Sequence, residues 1–215
     1  MSSRFAFVPF GGPSPKPGDL VGFAGRGLVA DLINLGTFGR PGHGLCHVGI
    51  VAAHCDQLAL YESTTTVRAP CLETGKPANG LQCHPLADRV IGYKGRVWHY
   101  PLTRPLDNDI ADGLEYRLRH FCREGIPYDY QGALDARSTL LALVLRLKHG
   151  EDLKQLFCSE FAAAVWRSLN RFDTKNASRW SPNGLAREGV AKGITGAPWE
   201  WLTAETIVSA AGRTS

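Results

Sequence analysis

The sequence predicts a single α+β domain that spans residues 1–215 and has an antiparallel sheet packed against helices. Two apolar segments, 45–52 and 58–65, flank a short polar turn, which is typical of an antiparallel hairpin. Segments with helical periodicity lie mainly in the second half of the chain. The chain has no internal repeat and no linker composition, so one core is expected.

Composition excludes several classes of protein. The apolar fraction of 44% and the charged fraction of 20% are ordinary for a globular protein. The net charge is +4, but the basic residues are scattered, which suits an anionic cell-wall polymer better than a nucleic acid. The first fifteen residues lack the apolar run of a signal peptide, and no segment approaches the ~18 apolar residues of a membrane span. We therefore expect no nucleic-acid partner and no stable membrane span.

The first half of the chain is predicted to be mainly extended. The predicted strands are 19–23, 45–52, 58–65 and 95–100. Between the first two strands, the pattern predicts a short helix at 27–35 and a Gly-, Pro- and His-rich loop at 37–44. Residues 66–90 are rich in Pro, Gly and Thr and are predicted to form a loop with some strand.

The second half is predicted to be mainly helical. Residues 107–123 form an amphipathic pattern whose apolar face is Ile110, Leu114, Leu118 and Phe121. The turn sequence "GIPYDYQGAL" precedes an apolar helix at 138–148. The next helix begins at "LFCSEF" and has an apolar stripe of Phe161, Val165, Trp166 and Leu169. A turn and short helix at "SPNGLAREG" and an apolar tail containing "APWEW" follow.

The six cysteines include no CxxC pair. In the absence of a recognisable signal peptide we expect reduced thiols that act mostly as small core residues. Cys71 with Cys83 and His84 is a conceivable metal site, but the spacing matches no zinc pattern. We therefore predict no metal site and no cofactor.

Cys158 is the candidate nucleophile. It is predicted to lie in the first turn of an Ala-rich helix, where unpaired N–H groups and the helix dipole favour a thiolate. The alternative is a buried cysteine with a purely structural role.

His47 is the candidate general base. Strand alternation places His47, Gly49 and Val51 on one face and Cys46 on the other, so Cys46 and His47 do not share a site. Gly49 leaves room beside the imidazole for an approaching group. The alternatives are that His47 is a hydrogen-bonded core residue, or that His43 or His54 is the base.

Glu62 is the candidate orienting residue. A turn at 53–56 pairs Ala52 with Gln57, and this register places Glu62 directly opposite His47, with Cβ atoms about 5 Å apart. A carboxylate there can hold one imidazole nitrogen while the other nitrogen faces a thiol, which is the logic of a catalytic triad.

Five short motifs together resemble a known family. The segments "PGDLVGF" and "HVGIV" resemble the strand pair of NlpC-type papain-like cell-wall peptidases. In those enzymes a turn similar to "GIPYDYQG" and a helix similar to "FCSEF" come first, whereas here they come last. The order is circularly permuted, as in the YiiX-like branch, which is also similar in its late "SP..LA" element.

The resemblance implies a circularly permuted papain-like fold whose antiparallel sheet packs against the helix that carries the nucleophile. It implies that Cys158 is the nucleophile, His47 the base and Glu62 the orienting residue, with Tyr128 near the oxyanion or substrate. Two features depart from the family pattern: Gln131 precedes Gly132 where a glycine pair is common, and the apolar segment 138–148 is an insert.

The resemblance further implies a cysteine-dependent amidase or endopeptidase that cleaves peptidoglycan stem peptides through a thioester and needs no metal. One alternative is a lipid acyltransferase or lipid hydrolase, because the permuted scaffold resembles the lecithin:retinol acyltransferase group and the insert could serve acyl chains. Another is a non-catalytic wall-binding module. Without a signal peptide, we expect a cytoplasmic protein acting on recycled muropeptides, or one carried in a virion or exported by another route.

Overall fold

The structure is a computed structural model that describes residues 12–25, 44–64, 67–125, 154–173 and 180–203. Several predicted features lie outside these residues and are not tested: the helix at 27–35, His43, Tyr128 and the insert at 138–148.

A six-stranded sheet forms the centre of the described structure. Its strands are β1 (Leu20–Ala24), β2 (His47–His54), β3 (Gln57–Thr64), β4 (Gly80–Pro85), β5 (Arg96–Tyr100) and β6 (Trp199–Trp201). Their order is β4-β3-β2-β1-β5-β6, and every neighbouring pair is antiparallel. The helices are α1 (Leu86–Ile91), α2 (Asn108–Glu124), α3 (Lys154–Ser168) and α4 (Pro182–Ala191). The predicted α+β class with an antiparallel sheet is confirmed.

The sheet buries apolar side chains on both faces because helices cover both. On one face, alternate residues such as Val48, Ile50 and Tyr61 pack against α2, α3 and α4. On the other face, residues such as Val51 and Leu60 pack against α1 and Trp201. Burial on both faces explains why β2 reads as a nearly continuous apolar run rather than as an alternating pattern.

Trp166 fixes α3 to the rest of the fold. Its side chain is fully buried, and its indole N–H donates to the Gly18 carbonyl over 3.0 Å, which satisfies the polar edge of the ring. Gly189 lets α4 approach the ring closely, since a Cβ atom there would lie 3.1 Å from the Trp166 indole. Val165 and Leu169 of the predicted stripe are also buried, whereas Phe161 is half-buried.

The predicted apolar face of α2 is partly wrong. Leu114 and Leu118 are buried as predicted, but Ile110 and Phe121 are 41% and 39% exposed, and Cys122 is buried instead. The buried positions recur every fourth residue, so they form a narrow stripe along the helix. Phe121 lies about 100° around the helix from Cys122 and falls outside that stripe.

The segment 66–90 contains more regular structure than predicted. It includes β4, which pairs with β3, and the one-and-a-half turns of α1. Likewise, the tail predicted only as apolar contains β6, which pairs with β5. In the part of the chain that the structure describes, no helix combines the length and the apolar character needed to cross a bilayer.

Candidate active site

The hairpin that carries His47 has a tighter turn than predicted. His54 pairs with Gln57 across the two-residue turn of Cys55 and Asp56, and Ala52 pairs with Ala59. The predicted pairing of Ala52 with Gln57 is therefore wrong by two residues. Cys55 adopts a φ of 54°, the left-handed conformation that such turns favour but that the sequence did not signal with Asn or Gly.

His47 and Glu62 are in contact although the register differs from the predicted one. A shift of two residues leaves every side chain on its predicted face, because side chains alternate with a period of two. Continued along the strands, the observed register places Glu62 opposite Gly49 and diagonal to His47. The Nε2 atom of His47 lies 2.6 Å from Oε2 of Glu62.

The room predicted beside Gly49 is occupied. A Cβ atom at Gly49 would lie 2.9 Å from the Leu60 side chain and 3.0 Å from the Tyr61 carbonyl oxygen. Gly49 therefore lets the hairpin pack closely rather than leaving space for an approaching group.

Glu62 is a fully buried carboxylate held by more than the predicted histidine. Arg89 donates from Nε to Oε1 over 2.6 Å and from its terminal nitrogen to Oε2 over 3.1 Å. The Nδ1 atom of His84 lies 3.5 Å from Oε1. Burial alone would raise the pKa of Glu62, but the charge of Arg89 and the hydrogen bond from His47 outweigh it and hold that pKa well below its usual range. Glu62 is therefore a carboxylate at any moderate pH.

Arg89 is the member of this site that the sequence reasoning missed. It lies on α1, and its guanidinium stands 4.5 Å from the centroid of the Phe23 ring and 5.5 Å from that of Tyr93. These aromatic faces supply cation–π contacts to a charge that is mostly shielded from water. In the sequence, Leu86 and Val90 have the spacing of one helical face, but two positions in six residues do not distinguish a helix from a loop.

His47 links the carboxylate to Cys158. The imidazole forms side-chain hydrogen bonds with both Cys158 and Glu62. Burial alone would lower the pKa of His47, but the charge of Cys158 and these hydrogen bonds raise it to about 10. The His47 side chain is 14% exposed, whereas Cys158 is fully buried. The three predicted residues thus meet in one site.

The two partners of His47 lie on different sides of the sheet. Cys158 belongs to the core that α2 and α3 cover, whereas Glu62 shares its face with Leu60 on the α1 side. His47 contacts both because it is the first residue of β2, at the end of the strand.

The predicted place of Cys158 in its helix is wrong. Helix α3 begins at Lys154, so Cys158 is its fifth residue and lies in the second turn. The amide of the fifth residue of an α-helix donates to the carbonyl of the first, and the dipole effect fades beyond the first turn. The helix terminus therefore neither activates the thiol nor leaves the Cys158 N–H available for an oxyanion. The described neighbour that hydrogen-bonds to this sulfur is His47.

Cys46 and His54 lie in different surroundings. The Cys46 thiol donates to the Phe23 carbonyl over 3.2 Å and accepts from the Gly25 amide over 3.3 Å, so it secures the neighbouring strand. His54, at the opposite end of β2, has its Nδ1 atom 3.3 Å from the Tyr61 hydroxyl. The structure therefore brings His47, rather than His54, to Cys158.

Asn183 fixes the chain that leads into β2. It is the second residue of α4, whose N-terminus is capped by Ser181 accepting from the Gly184 amide over 3.1 Å. The Asn183 side chain accepts from the Leu45 amide over 2.7 Å and donates to the Leu45 carbonyl over 3.0 Å. These buried bonds hold the backbone two residues before His47, a role that the sequence did not indicate.

Comparison with known proteins gives little more than a fold likeness. No family model matches the chain, and no curated protein matches it. Among solved structures, the chain is similar to the metalloprotein YiiX from Escherichia coli, with 18% sequence identity and a TM-score of 0.45. The likeness covers 77% of this chain and 78% of that one, and at this level it carries no argument about chemistry.

Proposed function

We propose that this chain is a cysteine-dependent amidase or endopeptidase of the permuted papain-like kind, with peptidoglycan stem peptides as its substrate. The observation that carries the proposal is the His47 imidazole, hydrogen-bonded to the Cys158 thiol on one side and to the Glu62 carboxylate on the other. Nucleophile, base and orienting group in that sequence of contacts form the arrangement used for covalent catalysis at acyl groups.

The protonation of His47 supports the acylation step. With a pKa raised to about 10, His47 keeps its proton at neutral pH and so holds the proton that a leaving amine requires. In the proposed reaction the sulfur forms a bond to the substrate carbonyl carbon, the carbon–nitrogen bond breaks, and His47 gives its proton to the leaving amine. The product of this step is a thioester and a neutral imidazole.

Deacylation uses the same imidazole as a base. His47 takes a proton from water, the hydroxide attacks the thioester carbonyl, and the carbon–sulfur bond breaks to release a carboxylic acid and restore the ion pair. Glu62 keeps its hydrogen bond to Nε2 throughout, so the ring presents its other nitrogen to the sulfur. Because Arg89 already neutralises Glu62, the carboxylate acts mainly by orienting the ring.

The burial of Cys158 adds a condition to the mechanism. None of its surface is exposed, so a substrate carbonyl reaches the sulfur only if the groups that cover it move. His47 is the partly exposed member of the three and marks the side from which substrate approaches.

The test compares two substrate classes on the same protein. Wild type, Cys158→Ala and His47→Ala are incubated with purified peptidoglycan and with phospholipid vesicles, and products are identified by mass spectrometry. We expect muropeptides with newly freed amines from wild type and from the control Cys55→Ala, which alters an exposed thiol at the other end of β2, but not from Cys158→Ala or His47→Ala. Fatty-acid release from vesicles instead would favour the lipid-acting alternative. Binding of peptidoglycan without any product would favour a wall-binding module.

A further inference from the structure

Three buried thiols meet at a second place in the molecule, away from the candidate active site. The sulfur atoms of Cys71, Cys83 and Cys122 all lie within 4.8 Å of one another. Cys71 lies in the loop before β4, Cys83 on β4 and Cys122 in the last turn of α2. Three separate elements therefore contribute one thiol each to this three-thiol cluster.

The spacing within the three-thiol cluster suits a bound metal ion. The sulfur atoms of Cys71 and Cys83 are 3.7 Å apart. Four ligands around Zn²⁺ with zinc–sulfur bonds of ~2.3 Å place their sulfur atoms about 3.8 Å apart. A disulfide would require a separation of ~2.05 Å.

A backbone amide points at one of these sulfur atoms. Cys71 accepts from the Cys83 amide over 3.3 Å. The turn that follows Cys71 is closed by the Gly75 amide, which donates to the Cys71 carbonyl over 2.8 Å. Donors aimed at sulfur stabilise a charged thiolate much more than a neutral thiol.

His54 is the candidate fourth ligand, but its ring has to move to bind, because neither ring nitrogen lies within 4.8 Å of all three sulfur atoms and Nδ1 lies 3.5 Å from Oε2 of Glu73. Its Nδ1 atom lies 4.0 Å from the Cys83 sulfur, close to the ~3.6 Å that separates nitrogen and sulfur ligands around tetrahedral zinc. The Tyr61 hydroxyl now near Nδ1 also reaches the Ala53 carbonyl at 3.3 Å, so it keeps a partner when the nitrogen turns to a metal. The nearby carboxylate of Glu73 is bound by Arg119 over 2.9 Å and by Arg123.

We propose that Cys71, Cys83, Cys122 and His54 bind one Zn²⁺ ion in a closed tetrahedral site. Each thiol releases one proton on binding, so the ion is held by three thiolates and one neutral imidazole. Four protein ligands leave no open coordination position, which makes the site structural rather than catalytic. The ion would join the ends of β2, β4 and α2 into one unit.

The site differs from the pairing that the sequence suggested. His84 follows Cys83 directly, and strand alternation turns it to the opposite face, where it lies beside Glu62. The third thiol comes instead from Cys122, which is distant in sequence and joins the cluster only when α2 packs on the sheet.

The first test uses the full-length protein purified under reducing conditions from zinc-supplemented cells. We expect about one zinc per chain by elemental mass spectrometry, and the cobalt-substituted protein should show the strong visible bands of a tetrahedral ion with sulfur charge-transfer bands. Wild type without metal and without a tetrahedral cobalt spectrum would overturn the proposal. So would a Cys71–Cys83 disulfide found by non-reducing mass spectrometry of the freshly isolated protein.

Variants then assign the ligands. Cys71→Ser and Cys122→Ser should lose stoichiometric zinc, whereas Cys46→Ser and Cys55→Ser, which remove thiols outside the cluster, should retain it. Full zinc content in Cys122→Ser would contradict the site. If the serine variants fail to fold, removal of zinc from wild type with a chelator still decides: the melting temperature should fall and recover when Zn²⁺ is added.

His54 is tested separately. His54→Gln should weaken Zn²⁺ binding by at least about ten-fold and shift the cobalt bands, because a nitrogen ligand is replaced by a weaker donor. Unchanged affinity together with an unchanged spectrum would remove His54 from the ligand set.

Discussion

At the scale of single residues, the two closest partners of Glu62 need different things from it. His47 requires an acceptor that fixes its ring, whereas Arg89 requires a counterion in a place that is largely closed to water. A substitution at Glu62 therefore changes chemistry and stability together, and the two effects must be measured separately.

Replacing Glu62 with Gln should lower both activity and stability. Loss of an orienting carboxylate costs about 10⁴ in turnover in a serine-protease triad, and we expect a fall of about 10²–10⁴ here because Arg89 already neutralises the charge. Removal of one partner of a buried ion pair costs about 3–5 kcal/mol, which urea denaturation will measure as the loss in free energy of unfolding.

The control for this substitution is the double variant Glu62→Gln with Arg89→Met. It removes both charges, so much of the lost stability should return while the turnover stays low. A Glu62→Gln protein with wild-type turnover and wild-type stability would show that the carboxylate serves neither partner.

Thiol labelling tests the coupling of Cys158 to His47. Exposure alone favours Cys55, which is an exposed thiol, over the fully buried Cys158. A histidine cation beside a thiol generally favours the thiolate form that iodoacetamide attacks, so we expect His47→Gln to slow labelling of Cys158 by about ten-fold or more. Peptide mass mapping at pH 6.5 measures both sites, and Cys55 in the same sample serves as the control. If Cys158 is labelled equally fast in the variant, His47 does not activate this thiol.

The pH dependence of stability follows from the direction of the His47 shift. Folding raises the pKa of His47 from 6.5 to about 10, so the stabilisation is complete below pH 6.5 and is lost as the pH rises towards 10. The difference in free energy of unfolding between wild type and His47→Ala should therefore decrease between pH 6.5 and 10 and level off above. A difference that is constant or grows over that range contradicts the raised pKa.

At the scale of elements, the predictions succeeded where a pattern is long. Strands β2, β3 and β5 and helix α2 each show enough periodicity or enough consecutive apolar residues for their type to be identified from the sequence. Helix α1 has six residues, fewer than two turns, so its period could not be distinguished from that of a loop. Arg89 was missed with it.

The hairpin register shows a different limit. Each side chain lies on its predicted face of the sheet because the faces alternate with every residue and a shift of two residues does not change them. Which residues pair depends instead on the type of turn. The left-handed φ of Cys55 that permits the two-residue turn is not signalled by the residue type. The approach of Cys158 to His47 was predicted only through the family resemblance, because it depends on how α3 packs on the sheet rather than on the pattern of that helix.

Helix α4 gives a prediction at this scale. Asn183→Ala removes both bonds to Leu45 and leaves a buried amide and a buried carbonyl without that partner, which should cost about 1–3 kcal/mol of unfolding free energy. Because Leu45 precedes His47 by two residues, kcat/KM should fall as well, with the pH profile displaced.

The matched control is Ser181→Ala at the N-cap of the same helix. It should cost about 1 kcal/mol by loss of the cap while leaving the Leu45 bonds in place. Equal losses of kcat/KM in the two variants would show that Asn183 stabilises the fold but does not position His47.

At the scale of the whole molecule, the sheet separates two buried clusters, one of charged side chains and one of thiols. On the α1 face an ionised carboxylate is held by Arg89 and His47, and on the α2 face thiols gather among apolar side chains. The proposed zinc site and the proposed active site thus share β2, whose first residue is His47 and whose last is His54. A displacement of β2 along its axis would therefore move both His47 and His54.

The path of the chain through α1 sets the order in which the molecule can fold. The β2–β3 hairpin joins neighbours in sequence, whereas α1 follows the outermost strand β4 and leads back across the sheet to β5, which pairs with the distant β1. Local pairings form sooner than distant ones, so the hairpin brings Glu62 into the sheet early, whereas Arg89 arrives later and completes its burial. Arg89→Met should then accelerate unfolding and leave the refolding rate nearly unchanged, as stopped-flow kinetics will show. Until α1 docks, the Glu62 carboxylate remains hydrated. The folding protein therefore passes through a stage in which the central strands are paired but the buried ion pair behind His47 has not formed.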